Sequence, residues 1–151
     1  MPPIITRKMD TFRTFYDFIE LKEHTKHLGE PLSIGLVPTM GALHKGHLAL
    51  VEKAANENDI VVVTIFVNPK QFNNSSDLKQ YPRTIETDIA LLSAHKNVII
   101  CIPNESDVYP KDDPYSPINL GILNDILEGK YRPGHFPGVA HVVHNLFHFI
   151  E

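Results

Sequence analysis

An α/β domain built on a parallel sheet with flanking helices is the fold that the sequence predicts. Along its 151 residues, segments with the composition of buried strands alternate with segments of helical periodicity. The strand segment over residues 60–67 is apolar on both faces, as in a parallel sheet that is covered on both sides. With 42% hydrophobic residues, the chain can bury the core of one domain, and we expect right-handed crossovers between its strands.

The first predicted elements are a helix, a strand and a second helix. Apolar residues at helical spacing predict an amphipathic helix over residues 10–27. Residues 32–37 predict a short buried strand, which Pro38 is expected to stop because proline cannot donate to a sheet. A loop over residues 39–46 follows, and residues 47–56 predict another amphipathic helix.

A third helix and a further strand are predicted in the second half. Thr84 is expected to cap a helix whose first turn contains Glu86 and Asp88, since acidic side chains favour a helix amino terminus. Residues 98–102 predict a buried strand that contains the single cysteine, Cys101. Burial in the core explains this cysteine more simply than a redox or metal role does.

The carboxyl-terminal region predicts an irregular excursion and then a helix. Four prolines fall within residues 103–117, which favours a surface loop. Beyond them, apolar residues recur at i, i+3, i+4, i+7, i+8 and i+11, in the order Val139, Val142, Val143, Leu146, Phe147 and Ile150. Between them lie His141, His144, Asn145 and His148. For these four we favour a solvated polar face over a weak transition-metal site.

Charge and hydropathy argue against two classes of partner. Lys and Arg number 14 against 18 Asp and Glu, so the net charge of -4 offers no basic surface for a nucleic acid. The longest apolar run is too short to span a bilayer, and the amino terminus lacks a signal-peptide pattern. We therefore expect a cytoplasmic protein with neither nucleic-acid nor membrane partners.

The loop after the first long strand carries the residues best suited to chemistry. Residues 38–47 are Pro-Thr-Met-Gly-Ala-Leu-His-Lys-Gly-His. Gly41 and Gly46 let the backbone approach a bulky ligand, and the following helix offers N–H groups and a positive dipole end. His44 and His47 are three residues apart, so both imidazoles can face the same phosphate oxygens. Because no third ligand lies nearby in the sequence, we expect no metal ligands here.

This loop resembles the signature of the pantothenate synthetase family, whose members carry the HxGH nucleotide-binding motif on a Rossmann-like fold. Further matches follow in the same order along the chain. They are Val-Thr-Ile-Phe-Val-Asn-Pro-Lys-Gln-Phe over residues 63–72, Tyr-Pro-Arg-Thr over residues 81–84 and Arg-Pro-Gly-His-Phe over residues 132–136. The resemblance covers essentially the whole chain.

The resemblance implies a ligase that uses ATP and Mg²⁺ to condense (R)-pantoate with β-alanine through a pantoyl adenylate. It implies an ATP site formed by Met40, Gly41, Ala42, Leu43, His44, Lys45, Gly46 and His47. His47 would take the catalytic position, and His44 would assist at the phosphates. Gln71 would bind pantoate and β-alanine, and Asn68 would support the same pocket. Without the resemblance, a solvated loop amide and a strand terminator would explain Gln71 and Asn68.

The sequence departs from the family pattern in two ways. Pro137 stands where the family normally has an arginine, so one positive charge is missing near the expected site. The family also continues past the last helix into a Gly-Glu-Lys-Asp segment and a loop that closes on the triphosphate. We therefore expect residues 1–151 to be an amino-terminal nucleotide-binding domain that dimerises, as family members do, and has little turnover by itself.

Two other functions are weighed against this one. Another nucleotidyltransferase with the HxGH motif, such as one that makes a dinucleotide cofactor, is disfavoured by the matches over residues 68–72 and 132–136. A binding and association module without turnover is the alternative from outside the enzyme class, and it is the behaviour that we expect of the 151-residue chain in isolation.

Overall fold

The computed structural model describes residues 11–12, 23, 32–113 and 115–150. Within these residues a four-stranded sheet has the order β1-β4-β3-β2, and every pair of neighbouring strands is parallel. The strands are β1 (Thr11–Phe12), β2 (Ile34–Thr39), β3 (Ile60–Ile65) and β4 (Val98–Cys101). The prediction of a parallel α/β sheet is confirmed.

Helices cover both faces of the sheet. They are α1 (Lys45–Glu57), α2 (Ser75–Gln80), α3 (Ile85–Leu92), α4 (Glu105–Val108), α5 (Glu128–Tyr131) and α6 (His135–Ile150), with short 3₁₀ turns at Pro69–Gln71 and Gly121–Asn124. Within the described chain, no helix is both long and apolar enough to cross a membrane.

Strand β3 lies between two apolar clusters, and its six residues are all buried. Val62 faces the cluster that contains Val142, Leu146 and Ile150 of α6. Val61 and Val63 face the opposite cluster, which contains residues of α1 and α3. The alternation of side chains along the strand therefore places α6 on one face of the sheet and α1 with α3 on the other.

The prediction that Pro38 stops the first strand is wrong. Pro38 lies within β2, which extends to Thr39 and pairs in register with β3 along its whole length. The strand order leaves β2 at one edge of the described sheet. An edge strand needs hydrogen bonds on one side only, so a residue without an N–H group is tolerated there.

Other predicted boundaries differ by a few residues. Helix α1 begins at Lys45 instead of residue 47, and β3 and β4 end before residues 67 and 102. Thr11–Phe12 forms a strand where the sequence predicts the start of a helix, Glu23 is helical, and the rest of that predicted helix lies outside the described residues. Residues 103–117 are not wholly irregular, because they contain the single-turn helix α4.

Helix α6 differs from its predicted faces at three residues. His141, a predicted solvated residue, has a side chain that is only 16% exposed, and its Nε2 lies 2.6 Å from the Asp113 carboxylate. Phe147, a predicted core residue, is 49% exposed, whereas Asn145, a predicted solvated residue, is fully buried. The Asn145 amide nitrogen donates to the carbonyl of Val108 at 2.8 Å and to Asp113 at 3.0 Å. The segment that follows α4 thus packs on the predicted polar face, which stays exposed at His144 and His148.

Candidate active site

The carboxyl ends of the parallel strands bring three loops together. A cavity of about 160 Å³ is lined by residues that follow β2, β3 and β4, among them Gly41, Val67 and Pro103. An adjoining cavity of about 250 Å³ is lined by Met40, His47, Phe66, Asn68 and Gln71, together with apolar residues of α6. These loops thus lie at the carboxyl edge of the sheet, where open α/β folds bind their ligands.

A buried carboxylate holds the loop between β2 and α1 in place. Asp88 of α3 is 1% exposed and accepts hydrogen bonds from the backbone N–H groups of Ala42 at 3.0 Å and Leu43 at 2.8 Å. Thr84 occupies the cap position of α3, but its hydroxyl donates to Asp88 at 3.2 Å instead of capping the helix. Asp88 therefore fixes the loop and does not act as a solvated first-turn acid.

The backbone of this loop has two residues with positive φ. Gly41 has a φ of 80° and Ala42 a φ of 50°. A Cβ at Gly41 would lie 3.0 Å from the Asp88 carboxylate and 3.2 Å from Ile65. Glycine at position 41 thus permits both the backbone conformation and the close approach of the loop to Asp88.

His44 and His47 cap the amino terminus of α1 reciprocally. Nδ1 of His44 accepts a hydrogen bond from the Gly46 N–H at 3.0 Å, and Nδ1 of His47 accepts one from the His44 N–H at 3.3 Å. Since both Nδ1 atoms are acceptors, the neutral rings carry their protons on Nε2. The two ring centroids are 4.0 Å apart, so the imidazoles are in direct contact.

The environment of His47 disfavours its protonated form. Partial burial lowers the pKa of His47 below its ordinary value of 6.5, and the nearby His44 lowers it further. The Asp88 carboxylate acts in the opposite direction but does not outweigh these two effects. At neutral pH the His47 imidazole is therefore neutral and offers an N–H donor.

Gln71 and Asn68 form one hydrogen-bonded pair at the cleft. The Asn68 amide nitrogen donates to the side-chain oxygen of Gln71 at 3.0 Å and to the carbonyl of Gly138 at 3.1 Å. The Gln71 amide nitrogen lies 3.0 Å from the sulfur of Met40. His135 anchors the same loop through the Gln71 carbonyl, 3.0 Å from its Nδ1.

A third, more open cavity of about 380 Å³ adjoins Gln71 and Met40. The residues that line it include Arg132 and Asp77, as well as Phe72 and Tyr81. The two rings pack edge to face with centroids 5.7 Å apart. Burial and then Asp88 raise the pKa of the Tyr81 hydroxyl, which stays protonated at neutral pH.

The structure brings some predicted site residues together and keeps others apart. His47, Gln71, Asn68 and Met40 line one cavity, and Gly41 lines the adjoining one. The side chain of Leu43 packs in the core, and Lys45 is exposed. His44 contacts His47 beside the cleft, whereas Ala42, Lys45 and Gly46 do not line these cavities. Within the described residues, no group of three His, Cys, Asp or Glu side chains is arranged to hold a metal ion.

Comparison with known proteins identifies the family. A family model described as pantoate-beta-alanine ligase matches residues 10–151. The chain belongs to the pantoate-beta-alanine ligase family. It is 45% identical over 143 residues to the pantothenate synthetase of Porphyromonas gingivalis, an alignment that covers 95% of this chain and 50% of the relative.

Two crystal structures of pantoate-beta-alanine ligases have the same fold. The Francisella tularensis protein, complexed with beta-gamma ATP and β-alanine, matches with a TM-score of 0.82 and 41% identity, over 94% of this chain and 53% of that one. The Thermus thermophilus protein matches with a TM-score of 0.78 and 43% identity, over 94% and 49% of the two chains. This chain thus spans about half the length of these relatives.

The roles of two residues near the cleft, Asp88 and Tyr109, were not predicted from the sequence. Asp88 lies three residues after Ile85 and four before Leu92, on the apolar stripe of α3, and a carboxylate at such a position signals a buried partner. Tyr109 falls in the proline-rich segment, where the sequence carries no periodic signal. Its hydroxyl donates to Asn68 at 2.6 Å.

Proposed function

We propose that the cleft between His47 and Gln71 binds ATP and pantoate for the condensation of (R)-pantoate with β-alanine to pantothenate. The reaction would proceed through pantoyl adenylate, which fits the ligase names of the relatives. The observation that carries the proposal is that His47 and Gln71, which follow different strands, line one cavity of about 250 Å³.

The histidine pair supplies donors on the phosphate side of the proposed site. Because both Nδ1 atoms accept backbone N–H groups, the two Nε2–H groups are the donors left for a ligand. His47 lies at the cavity, so we assign it the catalytic position, where its N–H stabilises charge that moves onto the leaving pyrophosphate. Removal of one such donor typically lowers the rate by about a hundredfold to a thousandfold.

The lining of the same cavity suits a small branched hydroxy acid. Pantoate carries geminal methyl groups as well as hydroxyls and a carboxylate. The Gln71 carboxamide supplies a polar contact, and the apolar wall consists of Pro38, Phe66, Val139, Val142, Val143 and Leu146. An apolar cavity with few polar groups is the usual form of a small-molecule site.

The proposed chemistry has two steps. A pantoate carboxylate oxygen bonds to the α-phosphorus of ATP while the bond to pyrophosphate breaks. The ammonium group of β-alanine loses a proton, and the free amine bonds to the acyl carbon. AMP then leaves with the electrons of the acyl–oxygen bond, and the new amide nitrogen loses its second proton. The protein holds the reacting atoms together and places the His47 donor near the phosphates.

The third cavity suits the amino acid substrate. β-Alanine is a zwitterion at neutral pH, and this cavity has a cationic group at Arg132 and an anionic one at Asp77. It shares Gln71 and Met40 with the proposed pantoate cavity, so a bound amine would lie next to the acyl group. The Francisella relative was crystallised with beta-gamma ATP and β-alanine, which is consistent with this assignment.

Mg²⁺, a cytoplasmic location and a homodimer are parts of the same proposal. Since the described residues contain no cluster of metal ligands, we infer that Mg²⁺ enters with the triphosphate and neutralises its charge there.

Met40 and Gly41 would contact the nucleotide directly. Ala42 and Leu43 would act through the shape of the loop, because Asp88 already binds their N–H groups.

Calorimetric titration with pantoate tests the proposed function. Gln71→Glu places a carboxylate where the amide would meet the pantoate carboxylate, so we expect binding to weaken by at least about tenfold. Asn119→Asp is the matched control, because it makes the same change of charge in an exposed loop away from the cleft. Equal pantoate affinity of wild type and Gln71→Glu would contradict the proposal.

A further inference from the structure

Asn68 is a buried side chain whose hydrogen-bonding capacity is filled by protein groups. It is 1% exposed. Its amide nitrogen donates to Gln71 and Gly138, and its amide oxygen accepts from the Lys70 N–H at 3.1 Å and from the Tyr109 hydroxyl at 2.6 Å. Two donors and two acceptor positions are all that an asparagine amide has.

These contacts permit one orientation of the Asn68 amide. A rotated amide would place its NH₂ group against the Lys70 N–H and its oxygen against the Gly138 carbonyl. The Tyr109 hydroxyl, which donates at 2.6 Å, holds the Asn68 oxygen in its place. With Asn68 fixed, Gln71 must present its oxygen to the Asn68 nitrogen. The Gln71 nitrogen then points to the sulfur of Met40 and the cavity as a donor.

We propose that Tyr109 is a positioning residue that holds the Gln71 carboxamide with its nitrogen toward the cleft, by fixing the amide of Asn68. A donor at this position suits a carboxylate or hydroxyl oxygen and disfavours an ammonium group. The inference of specificity rests on the proposed function, whereas the orientation of Gln71 does not require it.

The surroundings of Tyr109 fit this role. Its ring packs on Phe66 and His141, with centroids 6.3 and 4.8 Å away, and the Lys70 ammonium lies 3.8 Å above its centroid. Burial, followed by the charges of Asp113 and Glu105, raises the pKa of the Tyr109 hydroxyl well above its ordinary value. The hydroxyl therefore remains a donor across the working pH range.

Tyr109→Phe removes the hydroxyl and keeps the ring. The matched control is Tyr115→Phe, because Tyr115 contacts the same network through its ring, stacked on His141 at 4.1 Å. In a ¹⁵N-labelled 151-residue chain, the Gln71 side-chain amide resonances are identified by their loss in Gln71→Glu. We expect Tyr109→Phe to shift these resonances without ligand and to weaken pantoate binding about threefold to tenfold. We expect Tyr115→Phe to do neither, and ATP affinity to be unchanged in both variants.

The outcomes separate this inference from the proposed function. If the Gln71 resonances of Tyr109→Phe coincide with those of the wild type, the positioning role is overturned. If they shift while the wild-type chain binds no pantoate, the positioning role stands and the proposed function fails. If Tyr109→Phe does not fold, Asn68→Asp tests the contact between position 68 and Gln71. The introduced carboxylate would repel the Gln71 side-chain oxygen, which the Asn68 amide nitrogen now donates to. The inference then requires the same resonances to shift, and unchanged resonances would overturn it.

Discussion

The Asp88 carboxylate and the Leu43 N–H are joined by a hydrogen bond of 2.8 Å, although 45 residues separate them in the chain. The other oxygen of the same carboxylate accepts from the N–H of Ala42. One buried side chain of α3 thus sets the conformation of the loop that carries His44 and His47.

Asp88→Asn is expected to loosen this loop. The amide oxygen can accept one of the two N–H groups, but its NH₂ group then faces the other, which leaves a buried donor without a partner. We expect a loss of about 1–3 kcal/mol in the free energy of unfolding, measured by urea denaturation. Glu86→Gln is the matched control because it makes the same chemical change on an exposed position of α3. Equal stability of the two variants would show that Asp88 does not hold the loop.

The approach of α6 to the Gln71 loop depends on Gly138. A Cβ at this position would overlap the Lys70 carbonyl and lie 2.8 Å from the backbone nitrogen of Gln71. We expect Gly138→Ala to push the two elements apart, to lower the free energy of unfolding by at least about 1–3 kcal/mol and to weaken pantoate binding. His144→Ala, at an exposed position of the same helix, serves as the control in thermal unfolding and calorimetry. A Gly138→Ala protein with wild-type stability would contradict the packing described here.

The sheet and its helices were largely predictable because they depend on local patterns. The run of buried residues in β3 and the spacing of Val142, Leu146 and Ile150 in α6 are visible in the sequence. Pro38 was misjudged because its tolerance depends on the position of β2 at the sheet edge, which is a property of the strand order. Burial of Asn145 likewise depends on where the chain from Val108 to Asp113 packs.

The motif residues of the site could be predicted, but not the residues that hold them. His47 and Gln71 belong to sequence motifs, and the carboxyl edge of a parallel sheet brings such motifs together. Asp88 and Tyr109 act through contacts 45 and 41 residues distant in the chain. No local periodicity encodes such contacts, and the functional assignments of all four residues remain predictions.

The titration of His47 tests the electrostatics of the histidine pair. Burial and His44 lower the folded-state pKa of His47 below the ordinary value of 6.5, so the unfolded chain binds protons more readily. The contribution of His47 to stability is therefore present above the unfolded-state pKa and is lost as the pH falls through the folded-state pKa. NMR titration of the His47 ring should show the lowered pKa directly.

The variant His44→Asn tests the contribution of His44 to the pKa of His47. An asparagine side chain can still cap α1, while the neighbouring imidazole is removed. We expect the pKa of His47 to rise in this variant and to stay below its ordinary value, since burial is the larger cause. An unchanged pKa would show that the two rings are not coupled.

The central claim is that the HxGH loop of this chain binds ATP through His47. Calorimetric titration of the 151-residue chain with ATP and Mg²⁺ tests it most directly, with His47→Ala as the variant and His95→Ala as a control outside the described cavities. We expect wild type and His95→Ala to bind with equal affinity, and His47→Ala to bind at least about tenfold more weakly, as expected for the loss of a hydrogen bond to a charged group. Equal ATP affinity in all three proteins, or no binding by the wild-type chain, would contradict the account.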